Sequence, residues 1–288
     1  MMHWHKWLLA SFLLFSTYRS DGQQIDLGVG DIDFLQLPFN QEFIRRNNIA
    51  RIRVEEQNKR SNQPIRFSGM RKSYDFDRKG RCSARSTYRE RYGRNDTIFE
   101  VFKISPADQV TRYDRKDNAG FYRETFNWSG DTLTTCTYRG YGQDSAVTWI
   151  ACELRVKKRN ELREDERVLN ENGLPYLNYI RTYDAAGYLL KSEEEYVISR
   201  KKRVTEFSYN DHGRLQFRRR VAEKGTEEWS FSYDEHGMLS EVFYRVEGEL
   251  IWRRAIVPDD FGRIAAVLTL DPKTEDITIE KFTYETHP

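Results

Sequence analysis

The feature that most restricts what this chain can become is a phrase written twice. "FSYNDHGRLQFRRR" begins at Phe207, and "FSYDEHGMLSEVFY" begins 24 residues later at Phe231. The shared core is an aromatic residue, Asp or Asn, two variable residues, Gly, one variable residue and Leu. It recurs at Tyr183-Asp184-Ala185-Ala186-Gly187-Tyr188-Leu189, and in weaker form at Pro258-Asp259-Asp260-Phe261-Gly262-Arg263-Ile264. A truncated copy, Tyr284-Glu285-Thr286-His287-Pro288, ends the chain. Gly187, Gly213, Gly237 and Gly262 fall 26, 24 and 25 residues apart. Upstream, Phe76-Asp77-Arg78-Lys79-Gly80-Arg81 and Leu169-Asn170-Glu171-Asn172-Gly173-Leu174 fit with less regular spacing. Gly173 and Gly187 are 14 residues apart, room for one strand rather than two.

Each position has a physical reason. Asp or Asn opening a turn accepts backbone hydrogen bonds through its side chain. The glycine three residues later supplies positive φ, as in a hairpin built on a type I turn with a bulge. The aromatic residue before and the leucine after belong to strands. Second turns around Gly225 and Gly248 lie midway between copies. Each unit of about 25 residues therefore reads as two antiparallel strands of seven to nine residues. Trp229, Phe231 and Tyr233 alternate with Glu228, Ser230 and Ser232, the period of a half-buried strand. In "LIWRRAIV", Leu250, Trp252, Arg254 and Ile256 share one face and Ile251, Arg253, Ala255 and Val257 the other. The predicted class is all-β: repeated antiparallel hairpins in a meander, forming one long curved sheet, an open barrel or a solenoid. Upstream turns are expected at Gly93 to Asp96 and Gly142 to Ser145. One short N-terminal helix is expected over "QEFIRRN", capped by Asn40 and followed by the strand "IARIRVEE".

Composition narrows the partners. The 288 residues carry 47 basic and 45 acidic side chains, a net charge of +2, with 14% aromatics. A field this weak does not call for nucleic acid. The runs "ISRKKRV", "FRRRVAEK" and "SEEEY" read as opposite charges on adjacent strands. The opening "MMHWHKWLLASFLLFSTYRSDG" has Lys6, an apolar core from Trp7 to Phe15, and small residues at Ser20 and Gly22. That is the layout of a cleaved secretory signal, and the apolar stretch is too short to span a bilayer. The expected organisation is a signal over 1–22, an N-terminal segment with the helix over 23–48, and a sheet domain over 49–288. An extracytoplasmic site permits a disulfide; Cys136 and Cys152 would face each other across a hairpin turning near Asp144, or remain buried thiols. No CxxC spacing is present among Cys82, Cys136 and Cys152.

The copies at Tyr183-Asp184…Gly187…Leu189, Tyr209-Asn210…Gly213-Arg214-Leu215 and Tyr233-Asp234…Gly237…Leu239 resemble the tyrosine–aspartate (YD, or Rhs-type) repeat. The resemblance covers Leu169 to the C-terminus, with an echo at Phe76 to Arg81. It implies extracytoplasmic β-sheet strips like those that spiral into shells in large Rhs and teneurin proteins. This chain is too short to enclose a toxin domain and ends on a repeat. It is more similar to the small exported members of the Bacteroidetes type. The resemblance implies a fold and a compartment, and no catalytic residues.

Chemistry-bearing residues are sparse. His212, His236 and His287 occupy one repeat position, but equivalent positions two strands apart lie about 9–10 Å from one another, too far to share a metal ion. The expectation is exposed turn residues and no metal site. Asp259 and Asp260 sit in a predicted turn. No GxSxG, HExxH, P-loop or dinucleotide glycine pattern occurs, so no catalytic residues and no cofactor are expected. Trp128, Trp149, Trp229 and Trp252 are candidates for an aromatic platform, against the alternative that they fill the core. The functional expectation is a non-enzymatic exported scaffold binding a protein or glycan in the periplasm or at the cell surface. The alternatives are a polysaccharide hydrolase using two carboxylates, and a structural part of an envelope assembly.

Overall fold

The computed structural model describes residues 39–91, 94–141 and 148–288. The signal-like segment 1–22, the following residues to 38 and the hairpin turn expected near Asp144 lie outside them. One helix, α1 (Gln41–Arg46), precedes the sheet. The first nine strands are β1 (Ile49–Lys59), β2 (Arg66–Phe76), β3 (Cys82–Arg91), β4 (Arg94–Ile104), β5 (Val110–Asp117), β6 (Gly120–Ser129), β7 (Thr132–Tyr141), β8 (Thr148–Arg159) and β9 (Arg163–Leu169). The second nine are β10 (Pro175–Tyr183), β11 (Leu189–Tyr196), β12 (Lys202–Tyr209), β13 (Leu215–Ala222), β14 (Gly225–Tyr233), β15 (Leu239–Val246), β16 (Glu249–Pro258), β17 (Ile264–Leu270) and β18 (Ile277–Thr286).

Every strand pairs antiparallel with its sequence neighbours, and β1 pairs with both β2 and β18. Ile52 stands opposite Tyr284 on one side and Tyr74 on the other. Of the shapes the repeat allows, the sheet takes a barrel, closed rather than open. Closure removes the two unpaired edges that a long meander would otherwise expose. Strands run from 7 to 12 residues, longer in the N-terminal half than the repeat period suggests. Asn95 and Asp96, expected in a turn, lie within β4.

The repeated phrase builds one turn geometry. In the copies opened by Asp77, Asp184, Asn210, Asp234 and Asp259, the first residue's N–H bonds the carbonyl four residues on, and the glycine N–H bonds back to the first carbonyl. The first side chain also accepts from the backbone N–H groups two and four residues later. These five turns share one rim. Asn170 to Leu174 forms the same turn at the opposite rim, between β9 and β10, which explains the 14-residue offset of Gly173 from Gly187. A further copy has no glycine. The Ser105 N–H bonds the Gln109 carbonyl, and the N–H of Asp108, which adopts φ +59 where the others place glycine, bonds back to the Ser105 carbonyl.

The tyrosine of the phrase ties one hairpin to the previous one. Tyr209 donates its hydroxyl to the carbonyl of Leu189 at 3.0 Å, and Tyr233 to that of Leu215 at 2.6 Å. Trp128 repeats the arrangement in the N-terminal half, its Nε1 donating to the Val110 carbonyl at 3.0 Å.

Alternation along the strands assigns two surfaces. The inner one carries Ile52, Val54, Phe76, Phe102, Tyr113, Phe126 and Leu133, which form an apolar cluster with Phe39, Phe43 and Ile44. Asn40 caps α1, its Oδ1 accepting from the N–H groups of Glu42 and Phe43 at 2.9 and 3.1 Å, while Arg45 and Arg46 complement the dipole in the last turn. The helix thus fills the barrel's interior at the rim where the Asp77 turn lies. Two smaller clusters, Val168–Leu177–Tyr179 and Leu189–Phe207–Leu215, are each built from nearby strands and stay separate. Rings of this strand number are wide enough for opposite walls to carry separate linings.

The outer surface is charged at mid-strand. Arg53 bonds Glu285 at 2.7 Å, Arg123 bonds Asp114 at 2.7 Å, and Arg219 approaches Glu228 at 3.5 Å. Asp165, Glu193, Glu206, Glu241 and Arg253 carry the pattern round the ring. A lipid-embedded barrel needs an apolar outer band about 25 Å tall, and these rows interrupt any such band. No helix among the described residues is long and apolar enough to cross a membrane. Cys136 and Cys152 stand directly opposite on the outer face of β7 and β8 and form a disulfide. Cys82 is a buried free thiol of the inner cluster, its pKa pushed up to about 12 by burial.

Candidate functional site: the inner wall

Strands β5, β6 and β7 shape a cavity of about 440 Å³ lined by Tyr113, Arg115, Asp117, Tyr122, Glu124 and Arg139, among others. It opens near the β5–β6 turn, at the rim away from α1. The wall follows from the inward positions of β6, where Tyr122, Glu124, Phe126 and Trp128 alternate with outward residues. Glu124 is the single acid in that aromatic row and is only 8% exposed. Its Oε1 accepts from the Tyr122 hydroxyl, whereas its Oε2 is buried without a hydrogen-bond partner. Burial raises the Glu124 pKa, and the nearby charge of Glu153 adds to the rise despite the Tyr122 bond. Arg115 presents a buried, unpartnered Nε while another of its nitrogens holds Asp117 at 3.1 Å. Tyr113 donates to Glu100 at 2.5 Å, and Glu100 also receives Arg85, so that neighbouring acid is committed.

Nine strands away round the ring, β13 to β16 carry an aromatic row. Arg218, Trp229, Tyr244 and Trp252 stand directly opposite one another on successive strands. Trp229 stacks on Tyr244 at 4.9 Å and Tyr244 on Trp252 at 5.3 Å. Guanidinium groups cover the outer ring faces, Arg218 over Trp229 and Arg254 over Trp252, each at 4.8 Å. Arg220 lies over Trp229 at 5.2 Å and bonds Glu227 at 3.2 Å.

The third inner feature is ionic. Glu166 is 2% exposed and meets Arg181 at 2.8 Å, Arg155 at 3.2 Å and Lys157 at 3.7 Å. All partners are present, so it reads as a wall-stiffening network rather than a ligand site.

The sequence candidates divide accordingly. Trp229 and Trp252 come together, but with Tyr244 between them and their faces occupied, so they do not form an open platform. Trp128 packs against the inner cluster. Trp149 is 49% exposed on the outer face, its Nε1 donating to Cys152 Sγ at 3.3 Å. His212 and His236 are exposed at adjacent turns, their backbone N–H groups bonding Asn210 and Asp234 at 3.0 Å, and the backbone N–H of His287 bonds the Asn48 carbonyl. Among the described residues no three His, Cys, Asp or Glu side chains gather as metal ligands. Asp259 accepts from the N–H groups of Phe261 and Arg263 and pairs with the Arg263 side chain at 2.8 Å, a structural turn. Glu124, Arg115 and Arg254 were not singled out in the sequence. The available signal for Glu124 was its position as the lone acid in the inward row Tyr-x-Glu-x-Phe-x-Trp.

No protein-family model matches the chain, and no curated protein does. Among solved structures, a porin-like protein from Bacteroides uniformis ATCC 8492 is similar at 9% identity and TM-score 0.43, over 82% of this chain and 98% of that one. A porin-like protein from Bacteroides vulgatus ATCC 8482 aligns at 11% identity and TM-score 0.31, over 65% and 94%. A TcdB2-TccC3-Cdc42 structure aligns at 10% identity and TM-score 0.31, over 74% of this chain and 15% of that one.

Proposed function

We propose that the chain is an exported, water-facing closed barrel that binds a glycan within its interior without transforming it. The observation that carries this reading is that Glu124 and Arg115, each with a buried polar atom left unpartnered, Oε2 and Nε, both line the cavity. Buried polar atoms are almost always bonded, and an unfilled pair beside a cavity is best accounted for by a ligand that supplies the missing partners. Tyrosine rings, a guanidinium and a carboxyl with one oxygen left unbonded suit a hydroxyl-rich molecule. The signal-like start, the likeness of the turns to YD repeats and the Cys136–Cys152 disulfide support an extracytoplasmic location.

A hydrolase is the second reading, favoured by one observation. Glu124 and Glu153 are both inward acids two strands apart, and burial raises the pKa of the first. Against it, Asp117, the other acid of the cavity lining, is ion-paired.

One experiment separates these. The secreted chain and its Glu124→Gln and Arg115→Met variants are assayed on a glycan array, and bound glycans are recovered for mass analysis. Intact glycan released from the wild type, with signal at least tenfold weaker for Arg115→Met, is expected. Shortened glycan from the wild type and intact glycan from Glu124→Gln would establish the hydrolase instead. Absence of any glycan signal overturns the proposal.

A further inference from the structure

The Arg–aromatic row is built in a way that the cavity does not explain. Because Trp229, Tyr244 and Trp252 stack on one another and are covered at both ends by guanidiniums, their faces are closed to a sugar ring. What they turn toward the interior is ring edge, the positive part of the aromatic quadrupole, flanked by guanidinium N–H groups. Both components attract negative oxygen atoms.

Arg254 shows that this attraction is unsatisfied within the chain. Among the described residues its only hydrogen bond is Nε to the Thr269 hydroxyl at 3.2 Å, and it forms no ion pair. Glu280, the carboxylate that exerts the main pull on it, is bonded by Lys72 at 2.8 Å. Burial lowers the Arg254 pKa, and the pull of Glu280, already bonded by Lys72, does not offset it. A half-buried cation in that state is costly unless an anion completes it. Arg220, at the other end of the row, leaves its Nε buried and unpartnered although another of its nitrogens pairs with Glu227 at 3.2 Å.

We infer that the inner face of β13 to β16 is a binding strip for an extended acidic saccharide, with Arg254 and Arg220 taking its carboxylate or sulfate groups. The two arginines flank three strand steps, about 15 Å, a span that a single small anion cannot bridge. Hydroxyl-binding groups on the opposite wall favour a saccharide over an acidic peptide. The inference rests on the interior glycan reading above and adds its charge class and its second wall.

Trp229 and Trp252 make intrinsic fluorescence the direct readout. The secreted chain is titrated with dextran sulfate oligomers, polygalacturonate oligomers, neutral dextran of equal length, poly-glutamate and inorganic sulfate. The expected result is a fluorescence change with one or both acidic saccharides that weakens steeply with salt and is absent with neutral dextran. In Arg254→Met the affinity falls at least tenfold while the melting temperature without ligand holds or rises, since an uncompensated cation has been removed. Arg253→Met, which removes the same charge from the outer face beside the strip, keeps the acidic-saccharide response. An acidic-saccharide response that survives while the glycan array gives no signal dependent on Arg115 separates failure of the cavity reading from failure of this one. Equal response to poly-glutamate, a response to inorganic sulfate alone, unchanged affinity in Arg254→Met, or failure of Arg254→Met to fold would each overturn the inference.

Discussion

Tyr284, four residues before the C-terminus, donates its hydroxyl at 2.6 Å to the carbonyl of Ile264, the first residue of the preceding hairpin's strand. Tyr233 and Leu215 repeat the bond at the same length. The tyrosine of the phrase is thus a cross-hairpin tie as well as a strand residue. Replacing it with phenylalanine in Tyr233→Phe should cost about 1 kcal/mol, the net worth of one hydrogen bond, in urea unfolding. Pro258 occupies the equivalent position before the Asp259 turn and has no hydroxyl, so Pro258→Tyr should gain a fraction of that amount. Burial lifts the Tyr233 pKa to about 12, above its ordinary 10.0. A raised pKa gives stability that is complete below pH 10 and lost as pH rises through 12, a limb that Tyr233→Phe should flatten.

Gly80 and Gly187 share a backbone conformation, φ +79 and +87, but not surroundings. A Cβ on Gly80 would lie 2.2 Å from the Gln41 carbonyl oxygen and 2.9 Å from the Arg45 amide nitrogen, whereas one on Gly187 meets nothing within 4 Å. Gly187→Ala should cost only the left-handed strain, about 1–2 kcal/mol. Gly80→Ala should cost more, because backbone of α1 must move, and should open the 41–46 region to limited proteolysis. Equal costs for the two would show that the helix does not seat on that turn.

These contrasts indicate what the sequence could and could not disclose. The turn chemistry and period-two rows are local, so the strands around Gly187, Gly213, Gly237 and Gly262 and the shared face of Trp229, Phe231 and Tyr233 were legible. Closure depends on Ile49 to Lys59 meeting Ile277 to Thr286 across the whole chain, and nothing local encodes it. The Ser105 turn was hidden because Asp108 takes the positive φ without glycine. Tyr244 joined the tryptophans through register, which one slipped residue would have undone. The cavity was least legible, since Arg115, Glu124 and Arg139 belong to three strands and only pairing aligns them.

The Cys136–Cys152 bridge closes a loop with a separation of 16 residues on strands that are already hydrogen-bonded. Its chain-entropy value is about 3 kcal/mol. Double replacement with serine should lower unfolding free energy by that order, and dithiothreitol should lower the melting temperature of the wild type but not of the variant.

Glu166 lies among three cations, and removing its charge strands them. Glu166→Gln should cost about 3 kcal/mol at neutral pH. Burial by itself would raise the Glu166 pKa, yet Arg181, Lys157 and Arg155 outweigh it and hold the carboxylate below 4.5. A lowered pKa contributes stability above the ordinary carboxylate range and loses it as pH falls through the folded value. The gap between wild type and Glu166→Gln should therefore narrow on acidification, as read from melting temperatures between pH 7 and 3.

Glu124 has the opposite sign. Its folded pKa is raised above 4.5 by burial and by Glu153, so its favourable contribution is complete in acid and disappears as pH climbs through the folded value. At neutral pH the ionised form sits in a wall that solvates only one of its oxygens. Glu124→Gln keeps the shape, removes the charge and should melt higher than the wild type at pH 7, with the difference vanishing near pH 4. An enzyme or binding protein commonly retains such a group at a cost in stability because its ligand needs it. Melting curves for the two proteins across that range decide the matter: a Glu124→Gln variant less stable at pH 7 would mean that the carboxylate serves the fold instead of the cavity.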